Sequence, residues 1–191
     1  MRGIHGSTVV LLVQMLLGGS YSAMAARVPE AARDRLPQAA FDAVYRQDCR
    51  AFAPDASCEL VGDLDGDGRT DRVFKIRTRK GGKVGIAVAW ADGRYSVLGA
   101  GARTLRVRTE VYADGTKEAE VALTEPLELA GITTWKILPP VKDGFARRPD
   151  NLKSVYRAPA VVGHGIFIDG GDAAELLYWD GGRWRWLILG F

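Results

Sequence analysis

The sequence predicts a mainly β fold of the α+β kind: antiparallel hairpins in a small, irregular propeller-like or twisted β assembly, with one N-terminal helix and one acidic loop between strands. Three observations predict it. Residues 83–91 alternate Val84, Ile86, Val88 and Trp90 with Gly85, Ala87 and Ala89, the period-2 pattern of a strand. Asp-Gly pairs at Asp92-Gly93, Asp114-Gly115 and Asp180-Gly181 lie between β-like runs, where two-residue hairpin turns need positive φ. Helical spacing of apolar residues is clearest at Phe41, Val44 and Tyr45.

The chain has 191 residues, and its start reads as a leader rather than as fold. Arg2 and His5 precede the apolar run Val9–Leu17, and small residues follow to Ala25. A basic start, a short apolar stretch and small residues at Ala23 and Ala25 form an export signal cleaved after Ala25. The run is too short to span a bilayer. The expected organisation is a signal peptide over 1–25, an N-terminal arm and helix over 26–58, and a β domain over 59–191. The expected address is the periplasm or the exterior, with no membrane attachment after cleavage. The formal charge of +3 drops to about +2 once Arg2 leaves with the leader, too near balance to argue for nucleic acid.

Residues 26–36, rich in Ala, Arg and Glu, read as a loose arm or a short helix. Pro37 suits a first helical turn, and the spacing predicts a helix to about Asp48 with Phe41, Val44 and Tyr45 on its buried face. Cys49 and Cys58 are the only cysteines. An even count in an oxidising compartment favours a disulfide between them, stabilising by about 2–3 kcal/mol through loop closure.

The stretch from Val61 to Phe74 carries carboxylates at Asp63, Asp65, Asp67 and Asp71, with Gly66 and Gly68 between them. Crowded negative charges repel, and a bound cation reverses that energy. Calcium is the expected cofactor, because it is hard, takes six to eight oxygens and tolerates flexible geometry. The expected ligands are the four carboxylates and the backbone carbonyl of Arg69. Position 12 of the loop is Phe74, where an EF-hand carries a bidentate Glu. The flanking residues Glu59–Val61 and Val73–Ile76 read as strands. This strand–loop–strand pattern resembles the FG-GAP and VCBS-type repeats over about 15 residues; the resemblance implies a calcium-binding β protein.

Past the loop the expected strands are 72–79, 83–91, 95–98, 105–110, 118–124, 132–138, 161–162, 166–168, 175–179 and 183–189. Residues 139–160 hold Pro139, Pro140, Pro149 and Pro159 with many charges, and read as a long surface excursion. Lys75, Arg77 and Arg79 share one strand face beside Lys80 and Lys83, a candidate basic surface. The segments Ala89–Tyr95 and Tyr178–Trp184 echo one another as aromatic, Asp-Gly, Arg, aromatic hairpins. Trp179, Trp184 and Trp186 read as partly core, with scope for an exposed anchor.

No catalytic set is legible. One histidine, His164, lies beyond the leader, and Ser57, Ser96 and Ser154 have no readable base. Asp169, Asp172 and Glu175 offer carboxylates, but the glycines between them read as a turn. The functional expectation is an exported calcium-binding β-domain protein acting by protein–protein binding. Its kind would be a periplasmic inhibitor or immunity protein of a cell-wall hydrolase, with an envelope peptidoglycan hydrolase as partner. The candidate partner-binding residues are His164, Asp169 and Asp172, within 163–172, together with the 139–160 excursion. The alternatives are a carbohydrate or cell-surface binding module and, behind it, an envelope hydrolase using Asp169 or Asp172.

Overall fold

A computed structural model describes residues 35–102, 104–112, 115–123, 129–148, 151–158, 160–170 and 174–189. The expected leader, its cleavage site and Asp172 lie outside the described residues. Strands dominate, as expected. The chain enters through β1 (Leu36–Pro37), a short helix α1 (Gln38–Val44) and β2 (Tyr45–Gln47). Strands β3 (Glu59–Gly62), β4 (Asp71–Thr78), β5 (Val84–Ala89) and β6 (Arg94–Gly99) complete a six-stranded antiparallel sheet. Its order is β1-β6-β5-β4-β2, with β3 also on β4.

A second six-stranded sheet contains β7 (Thr104–Tyr112), β8 (Gly115–Leu123), β9 (Thr134–Leu138), β13 (Gly165–Asp169), β14 (Ala174–Trp179) and β15 (Trp184–Leu189). The order is β8-β7-β15-β14-β13-β9. Its pairs are antiparallel except β15 with β7, which run parallel. Between β9 and β13 in sequence, β10 (Pro140–Val141), β11 (Gly144–Arg148) and β12 (Asn151–Arg157) form a small third sheet.

Period-2 alternation explains how these sheets stack. From the first sheet, Val73, Ile86, Val88, Trp90 and Leu98 face one way and meet Trp135, Ile166, Ile168, Leu177, Trp179 and Trp184 of the second. The opposite face of the first sheet presents Phe74, Ile76, Ala87 and Val97 to Phe41 and Tyr45. The opposite face of the second presents Leu138, Phe167, Leu176, Tyr178 and Leu187 to Phe145 and Ala158 of the small sheet and its flank. The layers therefore run helix, sheet, sheet, small sheet. The face assignment expected for residues 84–90 holds, because both sides of β5 are covered by apolar partners.

Three expectations change. The helix ends at Val44, not near Asp48: Tyr45 is extended at φ −117° and ψ 161°, and Tyr45–Gln47 pair with Ile76–Thr78 of β4. Sheet pairing takes these residues in place of a further helical turn, and Val44 stays exposed. The excursion over 139–160 is largely strand among its described residues: Phe145 is fully buried against the second sheet, and Ala146 is buried as well. Val161 and Val162, expected as strand, lie in the connection to β13, with Val162 exposed.

The disulfide between Cys49 and Cys58 is formed. Strands β2 and β3 lie end to end along one edge of β4, pairing with Ile76–Thr78 and Asp71–Phe74 respectively. The bridge closes the excursion that leaves the edge between them. That excursion tucks Phe52 and Ala53 into the main core.

Lys75 lies beneath the same excursion, fully buried rather than on a basic surface. Its ammonium donates to the carbonyls of Ala53 (2.5 Å), Ala56 (3.3 Å) and Cys49 (3.5 Å). The rings of Phe52 and Trp135 lie 5.3 and 5.2 Å away, within cation–π range. Burial pushes its pKa down. Arg77 is held by Asp48 and the Gly82 carbonyl, and Arg79 by the Asp42 carbonyl. Lys75, Arg77 and Arg79 are thus held by internal contacts, while Lys80 and Lys83 of the expected basic surface lie exposed.

Candidate metal centre

The acidic loop joins β3 to β4, which pair antiparallel up to Gly62 and Asp71. Pairing of the flanking strands brings the loop's ends together and sets Asp63 near Asp71. Asp71 is buried, at 1% exposure, and works as the loop's anchor. Its Oδ2 accepts the Leu64 amide at 2.9 Å, and its Oδ1 accepts the Ala91 amide at 2.9 Å. It thereby ties the loop to the turn after β5. Asp63 gathers the turn itself: Oδ1 accepts the amides of Gly66 (2.7 Å) and Asp67 (3.1 Å), and Oδ2 accepts that of Gly68 (2.9 Å). Gly66 and Gly68 sit at φ +74° and +82°, a region that glycine enters without strain.

Asp63, Asp65 and Asp71 each direct a carboxylate oxygen to one place, all within 4.8 Å of one another. These three residues can hold a metal ion. Asp65 divides its oxygens: Oδ2 pairs with Arg35 at 3.1 Å, and Oδ1 is buried with no hydrogen-bond partner. Burial holds the Asp71 carboxyl above its ordinary range; the Leu64 and Ala91 amides oppose this, and the charges of Asp65 and Asp67 add to it. An added cation would offset each of these penalties.

The structure sets Asp67 apart from the other three. Its carboxylate takes the Arg69 amide at 2.8 Å and the Arg69 guanidinium, and that side-chain bond holds its pKa down. Arg69 lies exposed on the loop's outer side.

The segment leading into β13 covers the loop. The His164 amide donates to the Asp63 carbonyl at 2.7 Å, and the His164 Nδ1 lies 2.9 Å from the same oxygen. Gly163 is pressed so close that a Cβ there would lie 2.5 Å from the carbonyl oxygens of both Asp63 and Leu64. The Val162 carbonyl blocks any side chain at Gly66 in the same way. His164 is therefore at the acidic loop. Asp169 is at the far end of β13, paired across to Ala174 and Thr134, with its carbonyl accepting the Thr133 amide. The two do not form one site.

Sequence reasoning did not anticipate Arg35, the Ala91 amide or Gly163 at this centre. The first two arrive from distant parts of the chain and leave no local pattern. The glycines flanking His164 were a usable sign, since such residues often mark close backbone approach. Trp179 and Trp184 are buried, at 3% and 0% exposure, and offer no outward platform.

No helix among the described residues is long and apolar enough to cross a membrane. No family model, curated protein or solved structure matches the chain.

Proposed function

We propose that the Asp63–Asp71 loop is a calcium site and that the protein is an exported β-domain protein that works by binding another protein. The convergence of Asp63, Asp65 and Asp71 carries the metal reading. The donors are all carboxylate oxygens on a glycine-containing loop. That set suits a hard, geometrically tolerant ion such as calcium, whereas zinc favours nitrogen and sulfur and magnesium demands a tighter octahedron. The resemblance of the loop to FG-GAP and VCBS-type repeats supports the same ion.

Calcium here would be structural. It would fix the loop on which Gly163 and His164 rest, and so set the pose of the connection bearing exposed Val162. A loop displayed by a rigid β scaffold is a common way to engage a partner's cleft. This supports the inhibitor or immunity-protein reading, with a cell-wall hydrolase of the envelope as partner and the periplasm as address. The carbohydrate-module alternative is less well supported, because Trp90, Trp135, Trp179 and Trp184 are all buried.

The test is a calcium titration by calorimetry, followed by capture from envelope extracts in calcium and in chelator. Calcium binding together with retention of one wall hydrolase, whose lytic activity falls on adding this protein, supports the proposal. Calcium binding without inhibition of any retained hydrolase rejects the inhibitor role. No calcium binding rejects the metal reading.

A further inference from the structure

The seam between the two large sheets contains a cage that the metal reading does not explain. The two hairpins that echo one another in sequence meet there. Trp90, from the first sheet, packs on Trp179 and Trp184 of the second at centroid distances of 5.6 and 5.8 Å. The guanidinium of Arg35 sits on this cluster, 4.0 Å from the Trp90 ring centroid and 5.4 Å from that of Trp179. Its Nη1 donates to Asp92 at 3.0 Å and its Nη2 to Asp65 at 3.1 Å. The Arg35 side chain is only 12% exposed.

The walls come from three places: the acidic loop, the β5–β6 hairpin and the β14–β15 hairpin. The backbone next to the ligand is paired over a much shorter stretch. Arg35 is carried by β1, whose pairing with β6 is two residues long, Leu36 with Tyr95 and Pro37 with Arg94. Pro37 has no amide hydrogen to give. Two aromatic faces with two carboxylates at opposite edges match a flat, forked cation. They match a compact ammonium poorly, since it cannot stack and donate in two directions in one plane.

We propose that Trp90, Trp179, Asp65 and Asp92 form a guanidinium-binding site, filled in cis by Arg35. Its ligand in trans is an arginine side chain on an extended partner segment that displaces β1 from the edge of β6. Strand addition at a sheet edge is an established mode of peptide recognition, and here the chain's own Arg35-Leu36-Pro37 is the occupant that a partner would replace.

Chemical rescue of Arg35→Ala tests the site. The experiment is run in chelator, so that its result is independent of the calcium reading. The variant is expected to melt about 4–8 °C below wild type, from the loss of stacking and two charge-assisted bonds. Ethylguanidinium at tens of millimolar should restore at least half of that loss and leave wild type unmoved, while ethylammonium should restore none. N-acetyl-arginine amide should act as ethylguanidinium does, and N-acetyl-lysine amide should not. Equal effects of guanidinium and ammonium compounds, or equal effects on variant and wild type, overturn the proposal. If Arg35→Ala does not stay folded, the same comparison is read from refolding yield, where only the guanidinium compounds should raise it.

Discussion

Replacing Asp65 with Asn should abolish the thermal stabilisation conferred by calcium, whereas replacing Asp67 with Asn should leave most of it. The carboxylate oxygens of Asp63, Asp65 and Asp71 lie within 4.8 Å of one another; at that separation, and an effective dielectric of 20–80, each charged pair costs about 0.9–3.5 kcal/mol. A cation among them turns this repulsion into attraction. Extracellular calcium modules bind with Kd of roughly 10⁻⁴–10⁻³ M, so about 10 mM calcium should stabilise the fold by roughly 1.4–2.7 kcal/mol. For a domain of this size that is a rise in Tm of about 3–11 °C. The assay is a melt in calcium and in chelator for each variant, with the difference within each variant as the readout. That choice cancels the loss of the Arg35 pair, which lowers both melts of Asp65→Asn alike. Asp67 is engaged by Arg69, so its variant should keep most of the increment. A full increment in Asp65→Asn, or an equal loss in both variants, would refute the ligand set drawn from the geometry.

Gly163→Ala should cost about 1–3 kcal/mol, because its Cβ must push aside backbone rather than a flexible side chain; a denaturant midpoint measures it, and calcium affinity should fall with it. Lys75→Met keeps the bulk and removes the ammonium; the Ala53 carbonyl keeps the Ala56 amide but loses its charged donor, so chemical denaturation should show a loss of about 1–3 kcal/mol. Asp92 has its pKa brought down to about 2, chiefly by the hydrogen bond from Arg94, with Arg35 contributing. A lowered folded value gives stability that is present above the unfolded value of 3.8 and lost as the pH falls toward 2. Acid titrations of stability should therefore show the gap between wild type and Asp92→Asn closing over that window.

What was legible in the sequence was local. The period-2 run from Val84 to Trp90, the Asp-Gly hairpin signals and the nine-residue acidic loop each specify their structure within a few residues. The pairing of Cys49 with Cys58 needed only their number, since two cysteines allow one bridge within the chain. What was hidden depended on distant partners. Lys75 looks outward when strand alternation is read alone, and only the folded excursion over it supplies three carbonyls for its charge. The small sheet over 140–157 was masked by its prolines and charges, although Phe145 carries the burial that decides its place. Asp67 could not be separated from its neighbours by spacing, since the choice between ion and Arg69 is made by loop geometry. Arg35 belongs to a segment of undistinguished composition and gains meaning only from the acidic loop and two hairpins farther along the chain.

The position of β15 has a consequence for the order of events during biogenesis. This strand follows every other described strand in sequence, yet it lies between β7 and β14 in the middle of its sheet. Until it emerges, the β7–β8 hairpin has no neighbour to join on its β7 side, and Trp90 lacks the Trp184 ring that packs on it. A chain halted before residue 184 would hold two separated halves of a sheet, each with a bare edge able to pair with other chains. Completion of the fold is thereby deferred until nearly all the described chain has been delivered. Assembly of this sheet therefore closes in one late, long-range step.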